Sequence, residues 1–250
     1  MSRFHKVLIV ALLLGTIALL SGKLVWLTVV VVVFLTIVGV GVASPRLSFF
    51  GRYVCRGDSS RRWVALTFDD GPDARSTPAL LDLLREAKVA ATFFCIGKKV
   101  AANPELAARI LREGHLLENH SYSHSHFTNF FTVAQLHTEL AQTQSAIQTV
   151  AGVAPKYFRP PMGLSNPHIF RAARALGLQV IGWTARGLDT KSTEPEKIVA
   201  RIARRLEPGA IILLHDGDIP ADRLVVTVKR LLATLRRLDY EVVSLDKIVA

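Results

Sequence analysis

Cysteine is close to absent from this sequence. Only Cys55 and Cys95 occur, which excludes a fold built on disulfides and suits a reducing compartment. Disorder is excluded too, because half of the 250 residues are apolar, enough for one large α/β domain or two small ones. Acidic side chains are scarce beside basic ones, 20 against 31, and the formal charge of +11 raises an anionic partner, nucleic acid or membrane. No nucleic-acid motif and no interleaving of basic with aromatic residues accompanies that charge, so nucleic acid drops out. Charge of either sign is missing from one stretch: residues 7–43 contain Lys23 and no other charged side chain.

That stretch reads as a membrane segment. Leu24–Ala43 offers 20 uncharged residues, about 30 Å as a helix, which is one crossing of the hydrocarbon core. Val7–Gly22 offers 16, about 24 Å and short for a second crossing, with Ser21-Gly22-Lys23 as the turn of a hairpin. A signal-peptide core is the alternative for the first run, but no Ala-x-Ala-like cleavage site follows Leu20 and a second apolar run does. Residues 1–43 are therefore expected to anchor the chain in a cell membrane, as a hairpin or a single transmembrane helix. A basic juxtamembrane linker, 44–61, and a globular domain, 62–250, follow.

The charge follows the same division. From Trp63 to Ala250 there are 23 Lys and Arg against 19 Asp and Glu, a net of +4. The rest of the excess, Arg3, Lys6, Lys23, Arg46, Arg52, Arg56, Arg61 and Arg62, stands around the apolar runs and is offset only by Asp58. Anionic lipid attracts such residues by about 1 kcal/mol each near its surface, so membrane lipid is the expected partner. Basic flanks belong on the cytoplasmic side, and a hairpin with both ends inside fits them. A single crossing with the domain outside would put five arginines on the disfavoured side.

Beyond Trp63, short apolar runs alternate with amphipathic ones. Strands are expected at Trp63–Phe68, Ala91–Ile96, His115–Asn119, Tyr157–Pro160, Leu178–Trp183, Ala210–His215 and Tyr240–Ser244. Between them Thr77-Pro78, Asn103-Pro104, Asn166-Pro167 and Glu194-Pro195 each set a polar residue before a proline suited to the first helical position. Thr132 with Gln135 reads as a capping box opening a helix to about Val150, and Gly114 and Gly177 as helix stops. Seven strands alternating with helices give an α/β fold, an irregular (β/α)7-type barrel with a parallel sheet.

The polar residues then fall at strand ends. Asp69 and Asp70 follow the first strand, His120 the third, Arg159 ends the fourth, Asp189 comes after the fifth and His215 closes the sixth. In a parallel barrel these all lie on the C-terminal face, where active sites are built. His120 and His124, four apart, can present two imidazoles to one metal if the segment makes a helical turn, and a carboxylate completes a three-ligand set with open positions. Each piece has a plainer reading: Asp-Asp-Gly-Pro as a turn, the histidine pair as a solvated face, Arg159 and His215 as strand-end charges. Those readings must explain four coincidences on one face. His126 is the rival ligand; His5, His115, His137 and His168 have no expected role.

Thr67-Phe68-Asp69-Asp70-Gly71-Pro72, Asn119-His120-Ser121-Tyr122-Ser123-His124, Phe158-Arg159-Pro160-Pro161-Met162-Gly163 and Ile212-Leu213-Leu214-His215-Asp216 resemble, in order, the motifs of the polysaccharide deacetylases, the NodB-homology domain of carbohydrate esterase family four. Ala90-Ala91-Thr92-Phe93-Phe94 resembles the second strand of that family, and the likeness runs from Arg62 to Ala250. It implies that Asp70, His120 and His124 hold one divalent ion, usually zinc, with Asp69 as general base and Arg159 orienting it. It implies further that the Met162 N–H faces the oxyanion, that His215 protonates the leaving amine with Asp189 as its partner, and that Pro160, Met162, Trp183 and Leu213 meet the substrate. Met162 stands where an aromatic is common, and the stretch after Trp183 lacks a Trp that often follows Asp189.

The function so implied is metal-dependent removal of N-acetyl groups from an amino-sugar glycan at the membrane. The substrate is a cell-wall polysaccharide such as peptidoglycan, a chitin-like oligosaccharide, or a lipid-linked sugar or glycolipid. An O-acetyl esterase and a catalytically idle sugar-binding module remain open on the same scaffold. A cell-wall substrate requires an outward domain, against the direction of the charge.

Overall fold

The computed structural model describes residues 1–249; Ala250, the last residue of the expected domain, lies outside the described residues. Two helices come first, α1 (Arg3–Leu20) and α2 (Leu24–Ala43). Ser2 starts α1 ahead of the apolar run, its hydroxyl accepting from the His5 N–H. Both helices are long and apolar enough to cross a membrane and are almost wholly unburied. They fold back on each other at Ser21–Lys23, and the Phe4 N–H donates to the Phe49 carbonyl at 3.0 Å. The beginning of α1 and the end of α2 therefore share one end of the hairpin, the end that carries the barrel.

The strands are β1 (Trp63–Asp69), β2 (Thr92–Cys95), β3 (Leu116–Asn119), β4 (Tyr157–Phe158), β5 (Gln179–Val180), β6 (Ala185–Arg186), β7 (Ala210–His215) and β8 (Glu241–Val243). Around them run α3 (Thr77–Ala87), α4 (Gly97–Ala102), α5 (Pro104–Arg112), α6 (Val133–Ala151), α7 (Pro167–Ala175), α8 (Pro195–Ala203), α9 (Ala221–Arg237) and α10 (Leu245–Val249). The strand order is β5-β4-β3-β2-β1-β7-β6, all parallel. β7 pairs along β1 from Val64 to Asp69, while β2 and β8 divide its other edge, β8 at Trp63–Ala65 and β2 at Thr67–Asp69. This is the (β/α)7-type barrel expected, left open between β5 and β6.

Period-two alternation sorts the strand residues. Val64, Leu66 and Phe68 of β1 and Ala210, Ile212 and Leu214 of β7 point outward into the main core, where they meet Leu80, Leu84, Val228 and Leu231 from α3 and α9. Ala65 and Ile211 point inward to an apolar floor with Phe94, Tyr157 and Ile181. The same inward rows continue upward through Thr67 and Leu213 to Asp69 and His215, which are register partners at the rim. One face of each strand therefore runs from apolar floor to chemical rim within three side chains.

Several expectations shift in detail. The fifth strand shrinks to Gln179–Val180 and the separate β6 appears after it, because Trp183 and Thr184 turn away: the Thr184 N–H goes to the Ile211 carbonyl and its hydroxyl to the Cys55 carbonyl. The helices begin at the four polar-proline signals, α6 carries the full capping box, and Gly114 and Gly177 stand in left-handed conformation just past α5 and α7. The segment 44–61 is not a free linker. Phe49, Phe50, Tyr53 and Val54 are buried, Val54 bridges Ile181, and Arg56 bridges Ala210. Phe49 and Phe50 find cover against Phe4 at the base of the hairpin, and Tyr53 and Val54 by packing into the barrel's cores.

Candidate metal centre and active site

β1 delivers two adjacent carboxylates to the rim in different environments. Asp69, still in the strand, is buried and faces the lumen, where Arg159 donates to its Oδ1 at 2.7 Å. Arg159 is itself fully buried, fixed by the Thr67 hydroxyl, the Gly182 carbonyl and the face of Phe94, 4.1 Å from the ring centroid. Asp70 is the first residue past the strand and adopts φ +73°, a backbone state uncommon outside glycine, which swings its carboxylate across to the loop after β3. There Oδ1 stands 3.2 Å from the Nε2 of His120 and 3.2 Å from the Nε2 of His124.

Those three atoms fit a cation. The Nδ1 of His120 lies 2.7 Å from the Arg159 carbonyl, an oxygen that can only accept, so the ring proton sits there and Nε2 turns a lone pair toward Asp70. Burial, with His120 beside it, pushes His124 below its usual pKa and favours its neutral form. Asp70 Oδ1 is buried and accepts no hydrogen bond. An unpartnered carboxylate oxygen between two imidazole nitrogens, all within 4.8 Å of one another, is a ligand set of the kind divalent zinc takes, with room for further ligands. Burial pushes the Asp70 carboxyl up, but the imidazole of His120 beside it, with His124 and His215 behind, outweighs burial and holds the group well below the usual carboxylate range. A bound cation acts in the same direction.

His124 reaches the site without the helical turn expected of an i, i+4 pair. The loop is irregular, with Ser121 at φ +64° and His124 at φ +50°. Glu139 on α6 holds it from behind, accepting from the N–H groups of Tyr122 and Ser123 at 3.0 and 2.8 Å. Nothing in the sequence marks Glu139 beyond being an acid in an amphipathic helix. His126 is exposed and outside the cluster.

His215 approaches from the other side on β7. Its Nδ1 lies 3.0 Å from Asp189 Oδ1, and Asp189 Oδ2 accepts the backbone N–H of His215 at 2.8 Å, so one carboxylate fixes both ring and main chain. Burial works against the imidazolium, but the hydrogen bond and charge of Asp189 outweigh it and raise the His215 pKa to about 9. Between the two sides lies a cavity of about 470 Å³ lined by Asp69, Asp70, His120, His124, Trp183 and His215, among others. Met162 and Leu213 also line it. Pro160 does not: it is buried under the turn 161–163, where its carbonyl accepts the Gly163 N–H. Arg159 and Asp189 stand behind Asp69 and His215 and position them.

The turn 161–163 also shapes the far wall. Met162 stands at φ +57° and is 45% exposed, so it reaches into the cavity mouth. Gly163, at φ +65°, packs against Trp183 so closely that a Cβ there would lie 2.1 Å from the indole. The missing side chain is what lets the indole lie flat in the wall.

The family model described as polysaccharide deacetylase matches residues 56–181, half of the chain. The chain belongs to the polysaccharide deacetylase family. As a member it is a hydrolase of carbon–nitrogen bonds other than peptide bonds. Among curated members it is 33% identical over 193 residues to a peptidoglycan-N-acetylglucosamine deacetylase of Bacillus cereus, covering 76% of this chain and 90% of that one. It is 35% identical over 191 residues to a chitooligosaccharide deacetylase of Bradyrhizobium, covering 76% and 87%. A solved peptidoglycan N-acetylglucosamine deacetylase superposes with a TM-score of 0.75 at 29% identity, over 79% of this chain and 92% of that chain. The family-model match takes in Asp69, Asp70, His120, His124 and Arg159 and ends before Asp189 and His215.

Proposed function

We propose that this deacetylase removes N-acetyl groups from amino-sugar glycans with one divalent ion, zinc by its ligand set, while anchored to a membrane by α1 and α2. The observation that carries the reading is the meeting of Asp70 Oδ1 with two imidazole nitrogens, flanked by a buried carboxylate on one side and a charged histidine on the other. The ion, held by Asp70, His120 and His124, supplies Lewis acidity to water and to the acetyl carbonyl.

The protein's own groups supply the rest. Asp69 Oδ2 lies 3.9 Å from the His120 Nε2, close to the ligand set, so Asp69 is placed to take a proton from the attacking water. Arg159 fixes the other oxygen and so determines which lone pair faces the water. The Met162 backbone, turned to positive φ in the cavity wall, would offer its N–H to the developing oxyanion. His215 enters as the imidazolium and gives its proton to the departing nitrogen, with Asp189 holding the ring. The balance is one water consumed: the acetyl C–N bond breaks, acetate leaves with the water oxygen, and the sugar keeps a free amine. Trp183 and Leu213 wall the side where the sugar ring enters.

The test is acetate release from N-acetylated chitooligosaccharides by the full chain in detergent. Chelation is expected to abolish it and zinc to restore it. Release that survives both chelation and Asp69→Asn would refute the reading. Release from acetylated xylan alone would make the protein an O-acetyl esterase.

A further inference from the structure

Four arginines gather beside the active site, where the end of α2 meets the barrel. Arg46, Arg186, Arg201 and Arg205 line a cavity of about 480 Å³ whose remaining wall includes Ala43 and Ser44 from the end of the helix. No carboxylate lines it, and among the described residues none of the four makes a salt bridge. Arg46 donates to the Thr184 carbonyl and Arg201 to the Gly187 carbonyl at 2.7 Å, while the Arg186 guanidinium lies 5.8 Å from the Trp183 ring centroid. Three of the guanidiniums are thus held by main chain or ring with their charge left over, and Arg205 is exposed at the cavity wall. The end of α2 does not cancel that charge, because Ser165 engages the carbonyls of Gly41 and Val42.

The place of this cavity defines what can fill it. Trp183 and Arg186 belong both to it and to the active-site cavity, so the two adjoin. A helix of 20 residues spans about 30 Å, the hydrocarbon core, so the end of α2 falls at the level of headgroup phosphates. Two exposed aromatics, Phe127 and Phe130, stand on the loop after β3. That loop is tied to Asn166 and His168, next to the Ser165 that holds α2. The cavity therefore offers four fork-shaped cations at bilayer depth, adjoining the cavity that holds the ligand set.

We infer that this cavity is the phosphate subsite for a lipid-linked substrate, an N-acylated amino sugar joined through phosphate to a membrane alcohol. The inference rests on the deacetylase reading and names the substrate class of the same site. In such a molecule the phosphate and a 2-acetamido group sit on neighbouring ring carbons, which requires adjoining subsites. Arginine matches phosphate through paired N–H donors, and a neutral chitin-like chain offers nothing for four of them to bind.

The test compares three substrates on the full chain in phosphatidylcholine vesicles with zinc: polyprenyl-phosphate N-acetylglucosamine, the same alcohol glycosylated without phosphate, and soluble chitotetraose. The phosphorylated lipid is expected to have a kcat/KM at least tenfold above the uncharged lipid. Arg205→Glu and the double change Arg201→Gln with Arg205→Gln are expected to erase that ratio through KM, and Arg205→Lys to restore part of it. A second readout needs no turnover. Binding of the phosphorylated lipid to metal-free chain, followed by tryptophan fluorescence, is expected to weaken about tenfold in Arg205→Glu. Equal activity of wild type on both lipids, equal loss on all three substrates in the variants, or equal competition by phosphatidylglycerol would overturn the subsite while leaving the deacetylase reading standing. Acetate release from none of the three would overturn the deacetylase reading itself.

Discussion

Asp69 and Arg159 form a buried pair in which neither member has another partner of opposite charge. Removing one leaves the other uncompensated, which typically costs about 3–5 kcal/mol. Arg159→Met is therefore expected to lower unfolding free energy by about that amount, measured in urea, and to cut activity by leaving Asp69 unaimed. His215→Ala has a different signature: a loss of about 10²–10⁴ in kcat, the usual range for a general acid, with a much smaller loss of stability. Asp189→Asn separates charge from geometry. In the wild type Asp189 holds the His215 pKa up at about 9 against burial, so activity that needs the imidazolium falls as pH rises through that region. Without the carboxylate's charge, burial is opposed only by Asp69 and Asp70, so the pKa falls. The alkaline limb of kcat is therefore expected to move toward acid in Asp189→Asn, and an unmoved limb would show that another group is the acid. Stability follows the same sign: the contribution of the Asp189–His215 pair is complete below about pH 6.5, the ordinary histidine value, and is lost as pH climbs through about 9.

At the scale of elements, the site depends on pieces that carry no chemistry. α6 contributes Glu139, which ties down the loop between His120 and His124. Glu139→Gln keeps an acceptor but loses its charge, and zinc affinity is expected to fall about 10–100-fold, as measured against a chelating dye. Gly163→Ala drives a methyl into Trp183 and is expected to raise KM while leaving metal affinity intact. What the sequence revealed at this scale follows from how local its signals are. The alternation along β1 and β7, the polar-proline helix starts and the capping box are set by neighbours in the chain, and the observed elements agree with them. The strand-end positions of Asp69, Asp70, His120 and His215 follow from the same period. The irregular loop at His120–His124, the split of β5 from β6 and the burial of Pro160 depend on contacts with α6, β7 and the turn at Met162. Glu139 and Ile211 lie 16 to 27 residues from the segments they hold and leave no mark on the local pattern.

At the scale of the molecule, the antiparallel hairpin brings the beginning of the chain and the barrel to one end. Single cysteines placed at Ser2 and Ser59 in a chain lacking Cys55 and Cys95 are expected to react from the same side of a sealed membrane; labelling from opposite sides would exclude the hairpin. If the positive-inside rule governs Arg3, Lys6, Arg46 and Arg52, the labelled side is expected to be the cytoplasmic one.

The stretch after the anchor has a mechanical meaning as well. Val54 hydrogen-bonds the β5 edge at Val180 and Gly182, and Gly57 hydrogen-bonds Gly209 beside β7, so this segment stitches the open seam between β5 and the β6–β7 edge. Anchor and barrel share that stave. Tension on the membrane helices would be borne first by the seam, two strands from the ligand set, so a pull that peels Val54 away would slacken Trp183 and the acetyl pocket before it unfolded the enzyme. A soluble version beginning after Gly57 would lack both ties and carry the same open seam permanently.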